Sequence, residues 1–310
     1  MSVEMRNILC ETLAEAMRKN NKIVSIDSDL GKADGTMPLR KEFPDRAFDV
    51  GIAEANMTGI AAGMAAYGMI PVINTFTAFA SRRACDQIAI SACYANQNVK
   101  IIGTDPGVTA ELNGGTHMSF EDVGVLRSIP NILIAEPSDG IELRKMMEAV
   151  LEYQGPVYIR MYRKALDDIN TEDYEFKLGK ANVMREGKDV TIIASGILVA
   201  EALKAGDKLA ENGIDAEIIN IHTIKPLDEQ AVLKSAKKTG VIVTCENHNI
   251  MGGLRSAVAE TISLNYPVKI YPVGVDNIKG EVGKLDYLKE RFGLTAETIF
   301  EKAVLAVKQK

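Results

Sequence analysis

GIAEANMTGIAAGMAAYG, residues 51–68, is the stretch around which the rest of this 310-residue chain is organised. The run consists almost wholly of small and apolar residues, with one carboxylate, Glu54, near its start. This pattern predicts a helix that is apolar on nearly every side, and its glycines and alanines let another backbone or a flat ligand approach closely. Such a helix lies inside a fold or at a subunit interface. We therefore expect Glu54 to be at least partly buried.

A buried carboxylate is unfavourable unless a hydrogen-bond donor or a bound proton compensates it. Glu54 should therefore have a dedicated partner or keep its proton. The alternative interpretation is a first-turn glutamate that only interacts with the positive end of the helix dipole. The spacing within this stretch does not distinguish between these two roles of Glu54, so motifs elsewhere in the chain are needed.

The overall composition is that of a soluble globular protein, with 46% hydrophobic and 25% charged residues and no tryptophan. The net charge of -6 argues against a nucleic-acid or anionic membrane surface. No apolar run reaches the length of a membrane span, because Gly68 and Pro71 interrupt the longest one. The N-terminus lacks a signal-peptide pattern, and the four cysteines have no metal-binding spacing. These features predict a cytoplasmic protein with free thiols.

Short apolar strands alternate with helical patterns along the first half of the chain, and the alternation resumes after a polar segment. This order predicts mainly parallel sheets that are covered by helices on both faces. We predict an α/β protein with two three-layer domains, residues 1–166 and 189–310, joined by a linker over 167–188. Within the first domain, the patterns predict loops over 31–44 and 104–119 and one helix over 79–94.

Three further features of the sequence contain candidate ligand-binding residues. Phe76 and Phe79 follow a strand end, where one ring could stack on a flat heteroaromatic ligand, although two such residues also suit an ordinary core. The long, glycine-rich loop from Pro106 ends in His117, which is either a ligand-binding or a structural histidine. Arg160 and Arg163 stand at another strand end and suit an anion such as a sugar phosphate, unless they pair with the acidic linker.

These pieces, in this order, resemble the C-terminal half of transketolase over nearly the whole chain. The resemblance rests on the following motifs: Pro44-Asp-Arg46, Gly51-Ile-Ala-Glu-Ala-Asn-Met57, Asn74-Thr-Phe-Thr-Ala-Phe79, Asp86-Gln-Ile88, Gly114-Gly-Thr-His117, Glu121-Asp-Val123, Leu126-Arg-Ser-Ile-Pro130, Glu136-Pro-Ser-Asp139, Thr223-Ile-Lys-Pro-Leu-Asp228 and Glu246-Asn-His-Asn-Ile-Met-Gly-Gly253. As a set they are specific to thiamine-diphosphate enzymes of the transketolase group. They imply a pyrimidine-binding domain followed by a transketolase C-terminal domain.

The resemblance also implies roles for single residues. Glu54 would hydrogen-bond N1′ of the thiamine aminopyrimidine and so prepare the cofactor to lose its C2 proton, with Glu54 and His117 as the catalytic residues. Phe79 would stack on the aminopyrimidine with Phe76 behind it. His117 would contact the hydroxyls of the donor ketose. Two arginines, Arg6 and Arg163, would hold the substrate phosphate.

One family element is missing from the sequence. Single-chain relatives bind the diphosphate and a Mg²⁺ or Ca²⁺ ion through a Gly-Asp-Gly element, and this chain has none. We therefore predict that no metal is bound here and that a separate N-terminal subunit supplies the diphosphate and metal ligands. The two subunits would assemble as a dimer of heterodimers with the cofactor at their interface. This chain alone should be inactive.

Three positions depart from the family pattern. Asp105 stands where transketolases have a phosphate-binding His, Ala33 where they have a Ser, and Asn113 where they have an Asp that reads the donor's C2 hydroxyl. An Asp facing a phosphate repels it. Either Arg6 and Arg163 alone hold the phosphate, or the substrate is a branched-sugar phosphate or a sulfonated sugar.

The leading hypothesis is transfer of a two-carbon ketol unit from a ketose, or its phosphate, to an aldose. A second enzymatic hypothesis is a 1-deoxyxylulose-5-phosphate synthase-like or 2-oxo acid dehydrogenase E1 beta-like subunit. A third is a non-catalytic assembly module. His222 and His248 receive no role, and His222 is expected to be structural.

Overall fold

The structure is a computed structural model that describes residues 3–310, whose strands form two sheets. The strands are β1 (Ile23–Asp27), β2 (Ala47–Asp49), β3 (Ile70–Phe76), β4 (Lys100–Thr104), β5 (Leu133–Ala135), β6 (Val157–Met161), β7 (Asn182–Arg185), β8 (Val190–Ala194), β9 (Ala216–Asn220), β10 (Thr223–Lys225), β11 (Val241–Asn249) and β12 (Lys269–Val275).

Helices connect most of these strands. The α-helices are α1 (Met5–Lys19), α2 (Gly31–Asp34), α3 (Leu39–Glu42), α4 (Glu54–Ala66), α5 (Thr77–Arg82), α6 (Cys85–Gln87), α7 (Asp122–Arg127), α8 (Gly140–Glu152), α9 (Leu198–Glu211), α10 (Glu229–Thr239), α11 (Leu254–Asn265), α12 (Leu285–Arg291) and α13 (Ala296–Lys308). A π-helix (Ile88–Tyr94) and a 3-10 helix (Gly107–Asn113) complete the set. No helix in the described part of the chain is long and apolar enough to cross a membrane.

The first sheet has seven strands in the order β10-β5-β6-β4-β3-β1-β2 and is parallel except for β10. Apolar residues of α1 and α8 pack on one face, and those of α4, the π-helix and α7 pack on the other. Its central strands are buried on both sides, as a covered parallel sheet requires. The carboxyl ends of β1, β3 and β4 therefore meet at one edge, where ligand-binding loops are expected.

The second sheet has five strands in the order β12-β11-β8-β9-β7 and is parallel except for β7. Helices α9 and α13 pack on one face, and α10 and α11 on the other. Both domains thus have three layers around a mainly parallel sheet, and the predicted fold class is confirmed.

Two short strands lie where the sequence did not indicate them. β10 belongs to the second half of the chain but pairs antiparallel with β5 at the edge of the first sheet. β7 lies inside the expected linker and pairs antiparallel with β9. They contain three and four residues, and β7 is at most half-buried, so neither shows an apolar alternation. The boundaries 1–166, 167–188 and 189–310 stay a prediction.

Other local differences concern the loops and helix that the patterns predicted in the first domain. The single helix expected over 79–94 is divided into α5, α6 and the π-helix, and α5 already begins at Thr77 directly after β3. The loop expected over 31–44 contains α2 and α3, and that over 104–119 contains the 3-10 helix. Helices this short have too few residues for an apolar period to be visible.

Candidate active site

Glu54 is the first residue of α4 and only 5% of it is exposed. Gly51 lies in the turn before this helix, and its φ of +75° is a conformation that glycine adopts without strain. Ser28 stabilises the same turn, because its hydroxyl donates to the Gly51 carbonyl (2.7 Å) and accepts from the Ala53 N–H (3.0 Å). The expected burial of Glu54 is therefore present, and two hydrogen bonds made by Ser28 fix the turn that precedes it.

A dedicated partner accompanies that burial. Arg83 Nη1 donates to Glu54 Oε1 at 2.7 Å. The same guanidinium lies over the Phe79 ring, with Arg83 Cζ 3.9 Å from the ring centroid. If Glu54 only interacted with the helix dipole, its contact with Arg83 would remain unexplained. The sequence did not single out Arg83, although Arg83 lies four residues after Phe79, the spacing that puts two helical side chains on one face.

Phe76, Phe79 and His117 form an aromatic cluster beside Arg83. The Phe76 and Phe79 centroids are 6.0 Å apart, and His117 lies edge-on to both, 5.2 Å from Phe79 and 6.0 Å from Phe76. The His117 loop is held by Arg82, whose Nη2 donates to the Thr116 carbonyl at 2.7 Å. Phe76 is buried, whereas Phe79 and His117 are partly accessible. The loop histidine and the strand-end rings, which the sequence singled out separately, thus lie in one cluster.

Arg6 and Arg163 also come together, although 156 residues separate them in the sequence. The Arg6 N–H donates to the Arg163 carbonyl at 3.0 Å. Arg163 Cζ lies 5.1 Å from the Phe76 centroid, so this pair continues the aromatic cluster. Arg6 Nη1 donates to the Ala33 carbonyl at 3.2 Å. Contacts therefore connect Glu54 to the two arginines through Arg83 and the aromatic rings.

Each arginine of this pair already has a carboxylate partner. Arg6 Nη2 lies 2.6 Å from Glu4 Oε2, and Arg163 Nε lies 2.7 Å from Asp105 Oδ2. Burial raises the pKa of Asp105 to about 7, and the Arg163 guanidinium opposes that shift. The sequence suggested that Asp105 would face a substrate anion and repel it. In the structure its carboxylate is paired with Arg163.

Three other residues that the sequence singled out lie outside this cluster. Asn113 ends the 3-10 helix with an exposed side chain, and no side-chain hydrogen bond within residues 3–310 joins it to the cluster. Arg160 is fully buried and binds Asp122 and Glu136, so neither the anion role nor the linker pairing considered for it is correct. His222 is also buried and packs on Phe176, with centroids 4.5 Å apart, and burial lowers its pKa to about 4.

A second acid lies under this end of the site. Asp34 is completely buried, and its Oδ1 accepts from the Thr104 hydroxyl at 2.7 Å while Oδ2 has no hydrogen-bond partner among the described residues. Burial raises the pKa of Asp34 to about 8. The folded state therefore keeps a proton that the unfolded chain loses above its ordinary pKa of 3.8. The free energy of unfolding should therefore fall as the pH rises from 3.8 to about 8.

We expect Asp34→Asn to remove this pH dependence. Between pH 5 and pH 8 the wild-type free energy of unfolding should fall by ~2–4 kcal/mol more than that of the variant, because only the wild type must ionise a buried acid. Urea unfolding followed by circular dichroism at the two pH values measures the difference. The exposed Asp45→Asn serves as the control and should follow the wild type. Equal pH slopes for wild type and Asp34→Asn would contradict the assignment.

The fold and the site define a class: a two-domain α/β protein in which a buried carboxylate, Glu54, lies near an aromatic ring, Phe79, with Arg83 in contact with both. Residues 1–168 match the family model described as the transketolase pyrimidine binding domain, and residues 179–299 match the transketolase C-terminal domain. The chain belongs to the transketolase family. Its pyrimidine-binding domain implies use of thiamine diphosphate.

Individual relatives agree with this membership. The 6-deoxy-6-sulfo-D-fructose transketolase subunit SqwH of Clostridium sp. (strain MSTE9) is 53% identical and covers 96% of this chain and 93% of that protein. A 1-deoxy-D-xylulose-5-phosphate synthase of Desulfotalea psychrophila is 36% identical over 95% of this chain, which spans 46% of that protein. A solved split gene transketolase, described as an inactive beta4 tetramer, has a TM-score of 0.90 at 38% identity and covers 99% of both chains.

Proposed function

We propose that this chain is the C-terminal subunit of a split thiamine-diphosphate transketolase that transfers a two-carbon ketol unit from a ketose to an aldose. The observation that carries the proposal is the continuous set of contacts from Glu54 through Phe79 and His117 to Arg163. It provides a buried acid, an aromatic face and cationic groups in one connected region. A cofactor ring and a sugar bearing an anionic group need these three chemistries side by side.

The residues fit the aminopyrimidine of the cofactor. Arg83, which is planar and carries N–H donors, already binds the Glu54 carboxylate and lies on the Phe79 ring, so these two groups accept a flat, nitrogen-bearing ring. When bound, thiamine diphosphate supplies the carbon nucleophile and the electron sink for ketol transfer. Glu54 would share a proton with the ring nitrogen N1′, and Phe79 would pack against the ring with Phe76 behind it.

The remaining candidates would act on the substrate. His117 is partly accessible next to Phe79, so its imidazole would hydrogen-bond the hydroxyls of the donor ketose. Arg6 and Arg163 would bind the anionic group at the far end of the sugar, with Asp105 setting the local charge. Asn113 lies at the exposed end of the 3-10 helix, and we propose that it contacts the sugar in the assembled complex.

The partner supplies what this chain lacks. We propose an N-terminal transketolase subunit that carries the Gly-Asp-Gly element, the diphosphate site and the Mg²⁺ or Ca²⁺ ion, in a dimer of heterodimers. The likeness to a split gene transketolase whose beta4 tetramer is inactive supports this division. An open face of α4 also supports it, because Gly59 and Gly63 have no atom within 4 Å of an added Cβ.

The charge of the anion end favours a monoanionic donor. Two arginines face two carboxylates, Glu4 and Asp105, so the sum of these charges is zero, or one positive charge when Asp105 is protonated. A sulfonate carries a single charge, whereas a phosphate monoester approaches two at neutral pH. The identity of 53% to a 6-deoxy-6-sulfo-D-fructose transketolase subunit points the same way. We propose a ketose that ends in a sulfonate as the donor.

Reconstitution with an N-terminal transketolase subunit that carries the Gly-Asp-Gly element tests the function. The mixture should transfer ketol units from 6-deoxy-6-sulfofructose to glyceraldehyde 3-phosphate, and this chain alone should not. Coupled detection of the released aldose measures the rate. Decarboxylation of pyruvate, without ketol transfer, would favour the alternative of a synthase-like subunit, the activity named for the Desulfotalea relative, or of an E1 beta-like subunit.

Asp105→Asn tests the charge argument. Removing the carboxylate raises the positive charge beside Arg163, so kcat/KM for fructose 6-phosphate relative to 6-deoxy-6-sulfofructose should rise about tenfold. Steady-state kinetics on both donors give the ratio. Asp45→Asn, which changes the net charge equally at an exposed position, should leave the ratio unchanged. An unchanged ratio in Asp105→Asn would show that Asp105 does not select the donor.

A further inference from the structure

Arg83 makes two contacts that the proposed cofactor would need. Its guanidinium donates to Glu54 Oε1 at 2.7 Å and lies 3.9 Å over the centre of the Phe79 ring. Guanidinium is planar and delocalised, so one group can hydrogen-bond at its edge and stack through its face. An aminopyrimidine has the same two capacities. The side chain thus combines a carboxylate contact and a ring contact in one small area.

We propose that Arg83 is an internal occupant of the aminopyrimidine site and has to leave before the cofactor ring can bind. This inference rests on the proposed function. The Glu54 oxygen and the face of Phe79 that Arg83 covers cannot serve the guanidinium and a cofactor ring at the same time. His117 and Phe76 also lie beside Phe79, with ring centroids 5.2 and 6.0 Å from it, and Arg83 is the group that lies over its ring.

Arg83 and Glu54, the two members of this ion pair, differ in their exposure to solvent. The Arg83 side chain is 49% exposed and stands immediately after the end of α5, whereas the Glu54 side chain is 5% exposed in the first turn of α4. If Arg83 left alone, Glu54 would remain as a buried carboxylate without a donor, which is unfavourable. Arg83 therefore leaves as another donor arrives. It keeps the site paired in the unloaded subunit and competes with the cofactor.

Such an occupant lowers the apparent affinity, because only the fraction of molecules with Arg83 displaced can bind the ring. Arg83→Met removes the competing charge and stack but keeps a long, flexible side chain. We expect the apparent Kd of the reconstituted complex for thiamine diphosphate to fall about three- to tenfold. Titration calorimetry with thiamine diphosphate measures binding without requiring turnover. Arg144→Met, which removes an exposed positive charge elsewhere, should not change the Kd.

Arg83→Lys covers the case in which Arg83→Met destabilises the chain by leaving Glu54 unpaired. Lysine keeps the ion pair but loses the planar stack, so the Kd should fall by a smaller factor than with methionine.

The contact between Arg83 and Phe79 can also be tested directly. Arginine-selective NMR of the isolated wild-type chain should show Arg83 signals shifted by the Phe79 ring. Phe79→Leu should abolish that shift.

The outcomes separate this inference from the proposed function. Weaker or unchanged binding in both Arg83 variants, with normal binding by the wild type, would overturn the inference and make Arg83 a ligand of the cofactor or a bystander. An absent ring-current shift would also overturn it. Failure of the wild-type complex itself to bind thiamine diphosphate would refute the proposed function, whatever the NMR spectra show.

Discussion

Glu54→Gln should reduce ketol transfer by the reconstituted complex about 10³-fold, within the range of losses seen when a general acid or base is removed. Glutamine has nearly the shape of glutamate, but it cannot share a proton with a ring nitrogen as a carboxyl group does. Its side chain can still accept a hydrogen bond from Arg83, the observed partner of Glu54. We therefore expect the variant to fold, to assemble with the partner and to lose activity through kcat.

Glu229→Gln is a matched control for this experiment. Glu229 is the first residue of α10, just as Glu54 is the first residue of α4, but Glu229 is exposed. If Glu54 acted only through the helix dipole, both substitutions would lower stability slightly and neither would affect turnover. Activity of Glu54→Gln within about threefold of the wild type would favour the non-catalytic assembly module, because the proposed mechanism assigns a factor of at least 10² to this acid.

The main architecture could be predicted from the sequence because apolar runs mark buried strands. β3 and β6 show this clearly, and α4 could be predicted from its composition alone. β10 could not be predicted, because its three residues owe their conformation to pairing with β5, a contact made across the two halves of the chain. Local patterns carry no information about such pairings.

The candidate site shows the same limit. Phe76 and Phe79 follow β3 directly, so their place at the sheet edge could be inferred from the order of the strands. The approach of Arg6 to Arg163 came only from the resemblance to transketolase, because no spacing indicates a contact between residues so far apart. The pairing of Asp105 with Arg163 was not predicted at all.

A buried ion cluster also connects the two domains, and sequence patterns gave no sign of it. Arg160 in β6 donates to Asp122 Oδ2 at 2.8 Å, to Glu136 Oε1 at 3.0 Å and to the Asn247 carbonyl of β11 at 3.0 Å. Ser195 of the second domain donates to Glu136 Oε2 at 2.7 Å. Burial raises the pKa of Glu136 while the charge of Arg160 opposes the shift. One guanidinium therefore holds two buried carboxylates and bridges both sheets.

Arg160→Met should destabilise the protein by ~3–5 kcal/mol, the range found when one partner of a buried ion pair is removed. Methionine fills part of the volume but leaves Asp122 and Glu136 buried without their cation and the Asn247 carbonyl without its donor. Without Arg160, Glu136 must keep a proton to stay buried, so the loss should be larger at pH 8 than at pH 5. Urea unfolding at both pH values measures it.

Two comparisons show whether the burial of the cluster is the cause. Arg18→Met removes an exposed ion pair with Glu42 of similar geometry, and it should leave stability near that of the wild type. Adding Asp122→Asn and Glu136→Gln to Arg160→Met removes both unpaired charges and should restore a large part of the lost stability. If the triple variant were as unstable as Arg160→Met, the loss would come from packing, and the cluster would not owe its importance to paired charge.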